Sequence, residues 1–226
     1  MIADPAQLEL PAAERAIVGL TSLVNEVPWT LEPADFDRAR AAGLSDDVVL
    51  HVVLQTAFFN HLNRVADGVG IEFDYETSLP PMARLEREPL PRPERSAWPR
   101  PRARPSLSLD RRPASAETFA RWSEHNVDRE APLSRRDRSV IRGAVASALC
   151  DETTVAEVDG AIPRDEREQR LADYATLLTL APWRVGAASL APLRGLGLDD
   201  AALLDVIALG GFQNTASRIR LALAAS

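Results

Sequence analysis

The chain has 226 residues, 46% of them apolar and 26% charged, which is the balance of a globular protein and excludes extensive disorder. Its formal net charge of −7 excludes a general attraction to nucleic acid or to anionic membranes, and every basic residue is an arginine. We therefore expect neither nucleic acid nor a membrane as a partner.

The N-terminal sequence, MIADPAQLELPAAER, has no basic segment followed by an apolar run, so it does not resemble a signal peptide. No stretch approaches the roughly 18 to 20 apolar residues of a membrane span. The single cysteine, Cys150, excludes an internal disulfide. With three separated histidines and no glycine-rich phosphate loop, the sequence predicts no metal and no cofactor. A cytoplasmic location is expected.

Two helices are predicted in the first 43 residues of the chain. Apolar residues at helical spacing predict a helix over 12–26, which Pro28 ends. A shorter helix begins near Pro33 and ends at Gly43, because glycine is the usual left-handed residue after a helix.

A third helix, predicted over 46–67, is the most apolar of the three. Ser45 can cap it, and Asp46 and Asp47 lie in its first turn, where the helix dipole favours acids. Its apolar residues cover most of the circumference: Val48, Val49, Leu50, Val52, Val53, Leu54, Ala57, Phe58 and Phe59. Such a helix is expected to be buried, either in the core or in a subunit interface.

The next segment differs in composition. From Pro80 to Pro113 there are nine prolines and many arginines, which excludes a regular helix or a central strand. We interpret 70–113 as an extended connector that follows the surface and is anchored by Trp98 and Leu107. A flexible linker is the alternative.

Two further helices are predicted after the connector. Ser115 can cap a helix over 116–127, and a helix over about 134–149 places Val140, Ile141, Ala144, Val145 and Ala148 on one face. Cys150 follows directly after this helix.

An internal repeat organises the chain. Shifting the sequence by 154 positions aligns 14–64 with 168–218 without a gap. The identical pairs include Glu14/Glu168, Leu23/Leu177, Pro28/Pro182, Trp29/Trp183, Gly43/Gly197, Leu44/Leu198, Asp46/Asp200, Phe58/Phe212, Asn60/Asn214 and Arg64/Arg218. Matches such as Pro-Trp and Phe-x-Asn-x-x-x-Arg in one register are hard to obtain by chance.

The repeat predicts helices over 166–181, 187–195 and 199–224 in the second copy. The expected fold is therefore all-α, with a duplicated three-helix unit. We divide the chain into a first half-unit (1–75), a Pro/Arg-rich connector (76–113) and a second, more complete unit (114–226).

Residues 41–74 form a sequence pattern that resembles one found in a known protein superfamily. They combine a Gly-Leu-Ser-Asp turn, a long apolar helix and a distinctive ending, formed by Phe59, Asn60, Asn63, Arg64, Ala66, Asp67, Gly68 and Gly70. This pattern resembles the peroxidase-related branch of the alkylhydroperoxidase (AhpD)-like and carboxymuconolactone-decarboxylase superfamily. The stretch 133–152 resembles the helix that precedes the redox motif of that family. The resemblance implies an AhpD-like helical fold and an antioxidant activity, the reduction of hydroperoxides.

The sequence departs from the family at the redox motif. In active thiol peroxidases of this kind a Cys-x-x-Cys pair follows the helix, one thiolate attacks the peroxide and the other forms a disulfide with it, assisted by a Glu and a His. The segment 148–161, ALCDETTVAEVDGA, holds only Cys150, and no histidine follows. The dithiol mechanism therefore cannot operate within this chain.

The resemblance leaves Cys150 and His125 as candidate catalytic residues. Cys150 could be a one-cysteine peroxidatic thiol, or a small residue at a helix end whose pKa the neighbouring Asp151 and Glu152 raise. His125, beside Glu124, is a candidate for proton transfer and otherwise a surface histidine.

Candidate substrate-binding residues come from the repeat. Asn60 and Arg64, like Asn214 and Arg218, are four residues apart and so share one face of an apolar helix. Each arginine either bonds carbonyl oxygens of a neighbouring helix, pairs with an acid such as Asp67, or holds an anionic substrate. His51 and His61 lie on the same helix as Arg64 and could carry a proton or simply pack.

Three functions follow as alternatives. The family activity is hydroperoxide reduction, although the dithiol motif is absent. The second is a cysteine-independent acid–base enzyme acting on a small anionic substrate, and the third a non-catalytic homologue that binds a ligand or stabilises a partner protein. Family members assemble into oligomers through the long apolar helix, so that the resemblance implies a homodimer or homotrimer.

Overall fold

The computed structural model describes residues 9–71, 88–101, 105–159 and 161–226. All regular structure within these ranges is helical, which confirms the predicted all-α class. The α-helices are α1 (Ala12–Glu26), α2 (Pro33–Ala41), α3 (Asp46–Val69), α4 (Pro113–Val127), α5 (Arg135–Ala148), α6 (Glu152–Glu157), α7 (Glu166–Leu180), α8 (Ala187–Gly195) and α9 (Asp200–Ala225). None of these helices is long and apolar enough to cross a membrane.

The helix bounds recur along the chain. The helices α1, α2 and α3 begin 154 residues before α7, α8 and α9, and short 3-10 helices at Pro28–Thr30 and Pro182–Arg184 follow α1 and α7 at the same offset. The glycines that end α2 and α8, Gly43 and Gly197, both have a positive φ, as a residue after a helix requires. We call 12–69 the N-terminal unit and 166–225 the C-terminal unit.

The two units pack against each other mainly through α3 and α9, which run antiparallel. Thr215 Oγ1 donates to the carbonyl oxygen of Ala57 at 2.9 Å, and His61 lies against Gly211. Ala57 corresponds to Gly211 and His61 corresponds to Thr215 at the offset of 154 residues. Exchanging the two units therefore turns the contact of Ala57 with Thr215 into the contact of Gly211 with His61. The interface therefore has approximate twofold symmetry.

Local signals start most of the longer helices. At the N-termini of α3, α5, α6, α7 and α9 a backbone N–H donates to the side-chain oxygen of the capping residue, which is Ser45, Ser134, Asp151, Asp165 and Asp199 respectively. Each such bond satisfies one of the N–H groups that the first helical turn leaves without a partner.

Two apolar clusters hold the helices together. The larger one joins α5, α7 and α9, and the smaller one joins α1, α2 and α3 with Leu107, which is 1% exposed. Trp98 packs against the larger cluster. Both residues act as the predicted anchors of the connector, whose residues 72–87 and 102–104 lie outside the described ranges.

The connector is also held by polar contacts over the end of α5. Arg92 Nη1 donates to the carbonyl oxygen of Ser147 at 3.2 Å, and Arg95 forms two hydrogen bonds with the carboxylate of Glu152, at 2.9 and 3.1 Å. The residues 88–101 thus cover the turn between α5 and α6.

Three features differ from the sequence prediction, and the first two concern helices after the connector. The helix α4 begins at Pro113 rather than at 116, since a proline is pre-organised for the first helical position and its missing N–H would have no partner there. The short helix α6 was not predicted, although Asp151 caps it by accepting from the backbone N–H and the hydroxyl of Thr154.

The third difference concerns burial of α3. Its residues Val49, Leu50, Val53 and Ala57 are buried, as predicted for a core helix. Several other apolar residues on it are exposed in the single chain: Val48, Phe58, Phe59, Leu62 and Val69. The apolar circumference of this helix therefore exceeds what the monomer buries.

Candidate functional site

Two buried arginines form the centre of the candidate site. Arg64 on α3 is 6% exposed and Arg218 on α9 is 2% exposed. Burying a guanidinium group costs several kcal/mol unless oxygen atoms accept its hydrogen bonds. Removing a partner of a buried charge typically destabilises a protein by about 3–5 kcal/mol. The acceptors of these two side chains therefore decide what the site can do.

Each arginine reaches a carbonyl oxygen of the other unit. Arg64 Nη2 donates to Thr179 O at 3.0 Å, at the end of α7, whereas Arg218 Nη2 donates to Asn25 O at 3.1 Å, at the end of α1. Asn25 and Thr179 are themselves 154 residues apart. The two contacts are related by the same approximate twofold symmetry as the α3–α9 interface, and they place cations where helix dipoles favour them.

The asparagines complete the arrangement within each unit. Arg64 Nη1 donates to Asn60 Oδ1 at 2.5 Å, and Asn60 Nδ2 donates to Asn25 Oδ1 at 2.9 Å. In the C-terminal unit the same chain of bonds runs from Arg218 through Asn214 to the hydroxyl of Thr179, at 2.7 and 3.0 Å. The i, i+4 pairs that the repeat indicated are thus brought together at one place.

Neither guanidinium group has a carboxylate within ion-pair distance among the residues that the structure describes. Burial lowers the pKa of Arg64 to about 10, with the charge of Asp67 opposing the shift. Burial, and then the charge of Arg64, lower the pKa of Arg218 well below its ordinary value. The effect of Arg64 on Arg218 is that of a like charge acting through a medium of low dielectric constant.

A cavity of about 310 Å³ opens beside this pair, and we call it the arginine cavity. Both arginines, Asn25 and Thr179 line it, together with apolar side chains. The principal apolar residues are Trp29, Leu90, Leu149, Leu180, Pro182 and Trp183. A concave site with apolar walls and a few convergent polar groups is the usual form of a small-molecule site, and its volume is at the lower end of that range.

One donor in this cavity has no acceptor. The Nε of Arg64 is buried and finds no hydrogen-bond partner in the described part of the chain. An unsatisfied buried donor costs about 1–3 kcal/mol. An oxygen atom of a ligand could accept this hydrogen bond.

The acids of the cavity lie further out. Glu26, Asp67 and Glu88 also line it, but all three are exposed. Glu88 pairs with Arg184 at 2.8 Å. The cavity thus combines buried cations with an acidic rim, which favours a ligand of one negative charge that presents hydrogen-bond donors towards solvent.

Cys150 lies elsewhere, in the turn between α5 and α6. Its side chain is fully buried, and burial raises the pKa of the thiol to about 11, against a smaller opposing effect of Arg92. The backbone of Cys150 has a φ of 60°, a conformation that non-glycine residues rarely adopt. At neutral pH this thiol is protonated and without access to solvent, which is the reverse of what a peroxidatic cysteine requires.

The acidic neighbour of Cys150 has a structural role. The carboxylate of Asp151 accepts from Thr154 N at 3.2 Å, from Thr154 Oγ1 at 2.7 Å and from Ser217 Oγ at 2.7 Å. It therefore caps α6 and joins this helix to α9. The sequence predicted that the charge of Asp151 raises the pKa of the Cys150 thiol. The principal cause of the raised pKa is instead burial of the thiol.

The three histidines do not reach the arginine cavity or Cys150. His125 is exposed on α4, and His51 is exposed on α3. His61 is partly buried, with its ring 4.8 Å from that of Trp122, and burial lowers its pKa. Of the predicted substrate-binding residues, the structure brings together Asn60, Arg64, Asn214 and Arg218, while His61 lies with the aromatic side chains of α4.

The sequence analysis missed two residues of this site, Asn25 and Thr179. They differ in type, so a search for identical pairs passes over them, although the repeat offset relates their positions. The described residues contain no group of three potential metal ligands.

Comparison of the chain with protein-family models, curated proteins and solved structures found no match.

Proposed function

We propose that this chain is an AhpD-like, carboxymuconolactone-decarboxylase-like protein that binds a small monoanionic molecule in the arginine cavity and does not use Cys150 as a peroxidatic thiol. The observation that carries the proposal is the pair of buried arginines beside a cavity, to neither of which a carboxylate of the described residues is paired. The family assignment rests on the resemblance of 41–74 and 133–152 and on the repeat. Coincident helix bounds at an offset of 154 residues support a duplication.

A ligand with a carboxylate or a similar oxyanion fits this site best. Its oxygens would accept from Arg64 Nε and would lower the repulsion between Arg64 and Arg218. The indole rings of Trp29 and Trp183 offer apolar surface for a short carbon skeleton. The exposed acids at the rim disfavour a second negative charge on the ligand.

Binding is favoured over acid–base catalysis. An acid–base enzyme of the predicted kind would place a histidine beside an arginine, and His51, His61 and His125 are absent from the lining of the arginine cavity. The remaining titratable side chains there are the carboxylates of Glu26, Asp67 and Glu88 at the rim. Hydrogen bonding and charge recognition are therefore the chemistry that the cavity offers.

Isothermal titration calorimetry with pyruvate and with inorganic phosphate tests the proposal. We expect the wild-type protein to bind pyruvate, and Arg64→Lys to weaken this binding at least tenfold, because lysine has no counterpart of Nε. Arg220→Lys is the matched control, since Arg220 lies on α9 but pairs with Glu157 at the surface. Equal affinity in wild type and Arg64→Lys, or binding of neither anion, would contradict the proposal.

Hydrogen peroxide consumption distinguishes this proposal from the family activity. With an external thiol as reductant, we expect wild type and Cys150→Ser to consume peroxide at the same background rate. Turnover that disappears in Cys150→Ser would instead establish a one-cysteine peroxidase.

We infer further that the chain forms a homodimer or homotrimer through α3. Seven residues of this helix follow the alternating four- and three-residue spacing of a helix–helix seam: Val48, Val52, Gln55, Phe59, Leu62, Ala66 and Val69. Phe59 is 57% exposed and Leu62 is 42% exposed in the single chain. A second copy of α3 would bury the most exposed apolar residues of this stripe, Phe59 and Leu62.

A further inference from the structure

A second concave surface lies between α3 and α4, away from the residues that line the arginine cavity. This α3–α4 groove has a volume of about 530 Å³. Its floor includes Thr215 and Ile219 of α9. The two flanking helices run in the same direction, because Arg112 Nη2 donates to Asp47 O at 2.9 Å near their N-termini and the rings of Phe58 and Trp122 are 6.5 Å apart further along.

The far end of the groove is aromatic. Phe119 and Trp122 of α4 line it with Phe58 of α3. The ring of Phe119 stacks on that of Phe212 at 5.8 Å, and Trp122 makes an edge contact with Phe212 at 4.9 Å. These rings hold one another in fixed orientations, so the wall is rigid and offers flat apolar surface.

The near end is polar and cationic. Arg112, His51, Gln55 and Ser115 line it. The Nε of Arg112 is buried and has no hydrogen-bond acceptor within the described ranges. From Arg112, at the N-terminus of α4, to Phe119 the helix advances by about 10 Å, so the cationic and aromatic ends are separated by about the length of a two-ring aromatic carboxylate.

We propose that the α3–α4 groove binds an amphipathic aromatic monocarboxylate, with its carboxylate on Arg112 and its ring system against Phe58, Phe119 and Trp122. The charge at one end and the apolar wall at the other match the two ends of such a molecule. This site shares no lining residue with the arginine cavity and is independent of the function proposed for that cavity.

The test is a titration with 2-naphthoate, followed by calorimetry and by tryptophan fluorescence. We expect saturable binding that quenches the fluorescence of Trp122, and loss of this quenching in Trp122→Phe. Arg112→Gln should weaken the affinity about tenfold, as expected for one charge-assisted hydrogen-bonded contact of about 1.4 kcal/mol. The uncharged 2-naphthylmethanol should bind weakly and equally to wild type and Arg112→Gln.

Two further variants locate the bound molecule. Thr118→Phe fills the groove from an exposed position on α4 and should abolish binding. Arg121→Gln, at an exposed position on the same helix outside the groove, is the matched control and should bind like wild type. Far-UV circular dichroism verifies that each variant is folded.

Three outcomes would overturn the proposal. These are undiminished binding in Arg112→Gln, undiminished binding in Thr118→Phe, and binding that is lost in Arg64→Lys. The last result would place 2-naphthoate in the arginine cavity instead. Failure of pyruvate to bind the wild type would contradict only the function proposed for the arginine cavity.

Discussion

Arg64 and Arg218 occupy equivalent positions on α3 and α9, and each donates to a carbonyl oxygen at the end of a helix in the opposite unit, Thr179 of α7 and Asn25 of α1. These two hydrogen bonds link the N-terminal unit to the C-terminal unit. They also explain why two groups as costly to bury as these guanidinium groups lie in the interior, since each of them satisfies a helix-end carbonyl oxygen that has no intrahelical partner.

Because the contacts are reciprocal, removing either arginine should destabilise the fold to a similar extent. We expect Arg64→Gln and Arg218→Gln each to lower the free energy of unfolding by about 2–4 kcal/mol, measured by urea denaturation. The double variant should lose more than the sum of the two, because each single variant already removes the repulsion between the two charges and the sum counts this relief twice.

A surface arginine on α9 provides the control for this prediction. Arg220 pairs with Glu157 at 2.8 Å, and both side chains are about one third to one half exposed. Arg220→Gln should therefore cost less than about 1 kcal/mol. A loss at Arg220 as large as that at Arg218 would contradict a specific role of the buried pair.

Local signals made most helix bounds predictable from the sequence. Pro28 and Gly43 end helices for steric reasons, and Ser45 starts one by accepting a backbone N–H. The start of α4 was misplaced because Ser115 and Pro113 are competing signals only two residues apart. Boundaries encoded in one or two residues can be predicted, whereas a choice between adjacent signals depends on packing.

The site could be predicted only in part. The i, i+4 spacing places Asn60 beside Arg64, but it does not indicate which carbonyl oxygen the arginine reaches. The acceptor, Thr179, is distant in the sequence and is positioned by the packing of α7 against α3. The cavity itself depends on the same tertiary arrangement, so no local pattern could reveal it.

The buried thiol of Cys150 should make stability fall at alkaline pH. The folded state holds the thiol proton more tightly than the unfolded chain, since burial raises the pKa from 9.0 to about 11. The stabilising contribution is therefore complete below pH 9.0 and is lost as the pH rises through about 11. Between these values the free energy of unfolding of wild type should fall by about 2–3 kcal/mol more than that of Cys150→Ala, measured by urea denaturation across the range.

Accessibility of the same thiol can be measured directly. Iodoacetamide should alkylate Cys150 slowly in the folded protein at neutral pH and rapidly in urea. Arg95→Ala removes the two hydrogen bonds to Glu152 that hold 88–101 over the turn, and it should increase the rate in the folded state. Rapid alkylation of the folded wild type would contradict the burial of this side chain.

The crossing of α3 and α9 leaves no room for an added methyl group at Gly68. A Cβ atom built there would lie 2.6 Å from Cγ2 of Ile207, a buried β-branched residue that cannot move aside easily. Gly68→Ala should destabilise the protein by about 1–3 kcal/mol. Gly19 of α1 is the matched control, because its Cβ would meet nothing within 4 Å.

Gly19→Ala should in fact stabilise the protein by about 0.5–1 kcal/mol, since alanine loses less conformational entropy than glycine in a helix. Thermal unfolding of both variants measures the difference. A gain in stability at Gly68 would show that α3 and α9 are not packed closely at this point.

The apolar stripe of α3 makes a prediction about assembly. Phe59 is 57% exposed at the middle of the stripe, and a second copy of the helix would bury it. Phe59→Glu places a charge that would have to be desolvated in this interface, so the variant should be monomeric while retaining the helical content of wild type. Sedimentation velocity measures the assembly state.

Ile162→Glu is the control, because Ile162 is 77% exposed outside the stripe and its replacement should leave a dimer or trimer unchanged. A wild-type protein that sediments as a monomer, or an equal effect of the two variants, would contradict an interface at this face of α3.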